Sequence, residues 1–108
     1  MSSVAGRRAL PTSAVYCGTK HAVHAISESL RSEVAGSKVR VVTIAPGLTE
    51  TEFLELSGEN GKGFADRIKN LSMGCLKSED VANAILYSYE APPHVCIREI
   101  VLAPTEQV

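Results

Sequence analysis

Val39-Arg40-Val41-Val42-Thr43-Ile44-Ala45-Pro46-Gly47 is the stretch from which the rest of the chain can be placed. Val39 to Ala45 is largely apolar and rich in β-branched residues, as expected of a strand covered on both faces in a parallel sheet. Pro46-Gly47 ends it, because proline has no N–H for the ladder and glycine opens the turn. Upstream, Val23, Ile26, Leu30 and Val34 recur at spacings of three and four, which predicts a long helix over Ala14 to Val34 with Thr12 or Ser13 as its cap. Gly36-Ser37-Lys38 separates that helix from the strand.

Downstream, the expectation is a short helix from Thr49 to about Leu56, a turn at Ser57 to Gly63, and another short helix from Phe64 to Leu71. The whole of 46–76 has little core-forming sequence and reads as a substrate loop. Ser78 is predicted to cap a further helix, whose Glu79 and Asp80 suit the positive end of the helix dipole and which Pro92-Pro93 stops. Ile97 to Ala103 supplies a second strand. Helix, strand, broken helical crossover and strand make a parallel pair with a right-handed connection, and so an α/β fold. Two strands give a thin core for 108 residues. We therefore expect the isolated chain to be aggregation-prone, oligomeric or partly ordered.

Composition narrows the function. Hydrophobic residues make up 44%, charged residues 21%, and the net charge is -1, so nothing draws the chain as a whole to nucleic acid or an anionic membrane. No apolar run approaches the roughly 18 residues of a membrane span. Cys17, Cys75 and Cys96 are odd in number and lack CxxC spacing, which reads as reduced packing thiols in the cytoplasm. The first 27 residues lack Asp and Glu but contain Arg7 and Arg8, a composition that superficially suits a mitochondrial presequence; the site below accounts for it better. His21 and His24 read as surface or interface histidines rather than metal ligands. Arg7-Arg8 reads as a solvated pair, with contact to a cofactor phosphate as the alternative. Tyr87 and Tyr89 read as packing residues.

Chemistry concentrates in Tyr16-Cys17-Gly18-Thr19-Lys20. At i and i+4 on the long helix, the phenol and the ammonium share one face. A free phenol titrates near pH 10, so proton transfer near neutrality requires roughly 4 kcal/mol of help. One cation at about 4 Å supplies about 1 kcal/mol in water and about 4 at an effective dielectric of 20. Such a pair therefore needs a partly dry site. Gly18, costing about 1 kcal/mol in an exposed helix, suggests close approach of a helix or ligand.

Ser2-Ser3-Val4-Ala5-Gly6, Tyr16-Cys17-Gly18-Thr19-Lys20 and Pro46-Gly47-Leu48-Thr49-Glu50-Thr51 together resemble the C-terminal half of the short-chain dehydrogenase/reductase family. Glu79-Asp80-Val81-Ala82 and Glu99-Ile100-Val101 are similar to the end of many members. The resemblance implies a partial Rossmann-like, doubly wound parallel sheet, with 1–108 as the C-terminal portion of a single NAD(P)-binding domain. It implies hydride transfer between NAD or NADP, NADP ahead of NAD, and an alcohol or carbonyl. Ser3 matches the serine that hydrogen-bonds the substrate oxygen, with Ser2 as the alternative. Tyr16 matches the general acid/base and Lys20 the residue holding the nicotinamide ribose. Pro46, Gly47 and Thr51, with Thr49 in addition, match the turn at the nicotinamide end.

The family's glycine-rich pyrophosphate turn, its NAD-versus-NADP selecting position and its relay asparagine have no counterpart in these 108 residues. The resemblance also implies a homodimer or homotetramer through helix 14–34, in the cytoplasm, with neither nucleic acid nor membrane as partner. The alternative is a truncated, inactive module that persists through interaction.

Overall fold

The computed structural model describes residues 1–52 and 58–107. A single turn of 3-10 helix, Val4–Gly6, leads into α1, Ala14–Glu33. A second such turn, Ala35–Ser37, with Lys38 in the left-handed region at φ 62°, carries the chain to β1, Thr43–Pro46. Two helices follow, α2 at Gly58–Lys69 and α3 at Ser78–Glu90, and then β2, Glu99–Leu102.

β1 and β2 are parallel, with Thr43 opposite Glu99 and Pro46 opposite Leu102. A parallel pair needs a long crossover, which α2 and α3 provide. The chain is thus α/β with a parallel sheet, as the sequence predicts. The strands are shorter than expected because Val39 to Val42 have no ladder partner among the described residues. The Val41 carbonyl instead accepts from Nε of Arg31. Arg40 turns its guanidinium onto the end of α3, donating to the carbonyls of Ala91 and Tyr89, both at 2.9 Å. That helix has no basic residue in its own last turn, so Arg40 brings the positive charge its dipole favours.

Several local expectations are refined or changed. Lys77, not Ser78, is the N-cap of α3: its N–H donates to the Asp80 carboxylate at 2.8 Å, and the Asp80 N–H returns to its carbonyl. Ser13 occupies the N-cap of α1 without a side-chain bond, while Thr12 lies outside the helix at φ 64°. The glycines of the turn expected at Ser57 to Gly63 fall within α2, where the helix is continuous from Gly58; Ser57 lies outside the described residues. The helix expected at 49–56 is replaced over Thr49 by a parallel bridge to Leu76; its 53–56 portion lies outside the described residues.

The core is small. Among the described residues the buried apolar side chains are Ala5, Cys17, Ile44, Ala45 and Leu48, with Pro104 buried in the tail, and no large side chain is fully enclosed. The accessible surface is 7345 Å². A compact monomer of this mass would show about 5,800 Å². The stripe on α1 is not buried as a unit, since Ile26 and Leu30 are 65% and 43% exposed. Tyr87 and Tyr89 are exposed rather than packed, as is Cys96. Gly18 faces open space, so nothing among the described residues accounts for a close approach there.

Candidate active site

The N-terminal turn is knitted to both neighbours. The Ser2 N–H donates to the Ile44 carbonyl at 2.7 Å, which lays residue 2 alongside β1, and its hydroxyl donates to the Lys20 carbonyl at 3.1 Å. Gly6 closes the joint. A β-carbon there would stand 2.7 Å from the Lys20 carbonyl oxygen and 2.8 Å from the His24 ring, so only glycine lets this turn lie against α1. Ser2 is therefore a buried structural hydroxyl. Ser3 is extended, and its Oγ accepts the Ala5 N–H at 3.2 Å, which leaves its own O–H available as a donor.

Tyr16 and Lys20 occupy the first turns of α1, with the Lys20 ammonium 5.6 Å from the Tyr16 ring centroid. Cys17 between them turns inward and accepts the Leu10 N–H at its sulfur, which fixes the rotation of this part of the helix. At the far side, Gly47 follows β1 and donates its N–H to the Leu102 carbonyl at 2.7 Å. A β-carbon on Gly47 would fall 2.3 Å from Oε1 of Gln107 and 2.9 Å from Ala103, so the turn can only be glycine while the tail lies there. The Thr49 hydroxyl donates to the Gly47 carbonyl.

These pieces enclose one cavity of about 890 Å³. Ser3, Tyr16, Lys20, Pro46, Gly47, Thr49 and Thr51, every site residue expected from sequence, line it. Its volume lies in the range of small-molecule and cofactor pockets. Sequence reasoning missed Arg67 from α2 and Gln107 from the tail, which also line it, and left Arg8 as a solvated residue. Neither Arg67 nor Gln107 sits in a recognisable motif. Gln107 could have been found only from the three-dimensional path of the tail. Among the described lining residues the charged ones are Arg8, Lys20 and Arg67, all cationic.

Arg7 departs from the solvated reading. It pairs with Glu99 of β2, its Nε donating to Oε1 at 2.8 Å, and so ties the first turn to the last strand. His24 lies 3.5 Å from the same carboxylate. Burial first, then the charges of Arg7 and His21, lower its pKa, so near neutrality it meets Glu99 as a neutral ring. Its Nε2 is buried without a hydrogen-bond partner among the described residues. His21 Nδ1 faces the Cys17 carbonyl at 2.8 Å and must donate to it. Among the described residues no group of three His, Cys, Asp or Glu could hold a metal ion, and no helix is long and apolar enough to cross a membrane.

A parallel α/β sheet with a cavity beyond the carboxyl end of β1 defines a class of ligand-binding enzymes. The profile of the short chain dehydrogenase family matches residues 1–61, and the chain belongs to that family. It is 42% identical over its whole length to Dehydrogenase/reductase SDR family member 11 of Gallus gallus, of which it covers 44%. Two solved structures show the same arrangement. The closed form of serine dehydrogenase complexed with NADP+ superposes with a TM-score of 0.88 at 34% identity, over 99% of this chain and 43% of that one. A 4-hydroxyisoleucine dehydrogenase mutant complexed with NADH and succinate gives 0.75 at 26%, over 94% and 42%. The chain thus spans less than half the length of these relatives.

Proposed function

We propose that this chain is the C-terminal, reaction-bearing portion of an oxidoreductase that moves hydride between NAD or NADP and an alcohol or carbonyl. The observation that carries this reading is the convergence of Ser3, Tyr16 and Lys20 with the Pro46 to Thr51 turn on one cavity. The nicotinamide, when bound, supplies the hydride acceptor or donor. The donor set fits it: an ammonium at Lys20 for ribose hydroxyls, and Thr49 and Thr51 hydroxyls beside a glycine turn for the nicotinamide end.

The Ser3 O–H donates to the substrate oxygen and orients it. In oxidation the Tyr16 phenolate accepts the alcohol proton; in reduction the phenol returns it to the forming alkoxide. Lys20 holds its ammonium 5.6 Å from the Tyr16 ring centroid, beside the point where that proton is exchanged. The cofactors of the two solved relatives are NADP+ and NADH, so both nucleotides remain in this proposal. The cationic lining favours substrates bearing a carboxylate or another anionic group, in keeping with the amino-acid names of those two relatives.

With a dinucleotide-binding segment supplied upstream, Tyr16→Phe is expected to lower kcat about 10²- to 10⁴-fold while nucleotide affinity stays within about threefold. The measurement is nicotinamide absorbance for turnover and calorimetry for NADPH binding. Full turnover in the Phe variant would remove Tyr16 from the mechanism.

The second reading, an inactive interaction module, rests on the outer face of α1, where Ile26 is 65% and Leu30 43% exposed. Saturable NADPH binding by the 108-residue chain alone would count against it. The same face is the one we propose for pairing of copies.

A further inference from the structure

The C-terminal tail reaches the cavity by an unusual route. Two consecutive residues bind two points that are 24 or more residues apart in the chain. Oε1 of Gln107 accepts the N–H of Leu48 at 2.7 Å. Glu106 accepts the Ser72 hydroxyl at 2.6 Å through Oε1 and the Met73 N–H at 3.0 Å through Oε2. The hydroxyl and the amide hold the Glu106 carboxyl below the usual carboxylate range.

Each contact is fitted. Leu48 is largely buried, and Gln107 is the acceptor its N–H has among the described residues. The Gln107 side chain fills the space that a β-carbon on Gly47 would take. The tail itself is stiff at this point, since Pro104 is buried and its carbonyl accepts the Gln107 N–H at 2.9 Å. Between the two anchored points, the chain is bridged once more where Leu76 N–H meets the Leu48 carbonyl and Glu50 N–H meets the Leu76 carbonyl. The anchored stretch includes Gly47, Leu48 and Thr49 of the cavity wall, and Gln107 itself lines the cavity.

We propose that Glu106 and Gln107 are positioning residues acting as one clasp. Gln107 fixes the Gly47-Leu48 turn of the cavity wall, Glu106 fixes the chain after α2, and freeing either residue loosens both ends. Because the residues are adjacent, a tail that lifts from Leu48 cannot keep both oxygens of Glu106 on Ser72 and Met73. The consequence for turnover, a wall held in place for its ligands, rests on the reading of the cavity given above. The clasp itself does not.

Amide exchange by NMR on the 108-residue chain tests it without catalysis, so its failure is separate from a failure of the oxidoreductase reading. Gln107→Leu is expected to speed exchange of the Leu48 amide about tenfold. The Met73 amide should follow in the same variant. The Thr43 amide, bonded at 3.0 Å to the Arg98 carbonyl in the sheet, should keep its rate. Glu106→Leu should reproduce the pattern from the other end. Gln107→Glu keeps an acceptor for Leu48 and should retain protection. An unchanged Leu48 rate in Gln107→Leu would overturn the clasp. So would a change confined to the mutated end, or an equal rise at Thr43, which would mean a general loss of fold.

Discussion

The joint around the cavity and the outer faces of α1 and α3 are built on opposite principles. At the joint, the first turn, α1, β1 and the tail are held by directed bonds from Ser2, Ser3, Cys17, Gly47 and Gln107, and two glycines sit where no β-carbon fits. On the outer faces, Ile26, Leu86 and Tyr87 stand in solvent, each more than half exposed. A folded chain normally hides large apolar side chains or offers them to a partner. The contrast separates a part held by directed, shape-limited contacts from faces that leave large apolar side chains open to solvent or to a partner.

The largest break in that contrast should come from Gly6→Ala at the joint. The new methyl group meets the Lys20 carbonyl oxygen and the His24 ring at under 3 Å, and a backbone oxygen cannot swing away. Overpacking of this kind costs about 1–3 kcal/mol. Denaturant unfolding should show the loss, and Gly36→Ala, with open space around its position, serves as the comparison. Equal effects at the two glycines would mean that the joint is not tightly packed.

Arg40 tests the boundary between the two regions, because it binds the end of exposed α3 to the strand segment. Arg40→Met keeps the aliphatic stem and removes the bonds to the Ala91 and Tyr89 carbonyls. A loss of about 1–2 kcal/mol is expected, smaller in high salt. No loss would show those carbonyls to be well served by water.

Much of the fold was legible because it is written locally. The long helix is one residue shorter than the hydrophobic spacing predicts, and Pro46-Gly47 marks the end of β1 as expected. The strand length was not legible, since it depends on which neighbour supplies a ladder and not on the β-branched run. Tyr16, Lys20, Ser3 and the Pro46 to Thr51 turn were readable as motifs. Gln107 and Arg67 reach the cavity by tertiary path alone. Arg7 looked solvated because its partner, Glu99, lies at the other end of the chain.

His24 offers a pH test of the joint with a smaller expected effect. Its pKa in the folded chain is lowered, chiefly by burial and then by Arg7 and His21. The unfolded chain therefore takes up a proton more readily, beginning near its reference pKa of about 6.5. The stability that a neutral His24 contributes is complete above that value and is lost as the pH falls through the folded pKa. Glu99, Glu28, Arg7, Arg31 and Arg98 border the same recess, and Glu99 is already engaged by Arg7. Unfolding measured near about pH 7.5 and about pH 5.5 should show a drop that His24→Gln reduces. An identical drop in the variant would assign it to other groups.

The smallest effect on folding is expected at Ile26, and it sharpens the contrast most. Ile26 is 65% exposed on α1, so Ile26→Glu removes little buried surface and adds a solvated carboxylate on a helix. Monomer stability should stay within about 0.5 kcal/mol. If the outer face pairs copies of the chain, the same change places like charges in an apolar contact, and association should weaken at least about tenfold by sedimentation. A chain that associates equally well with Glu at this position would use another surface, and one that unfolds would show that Ile26 belongs to the core.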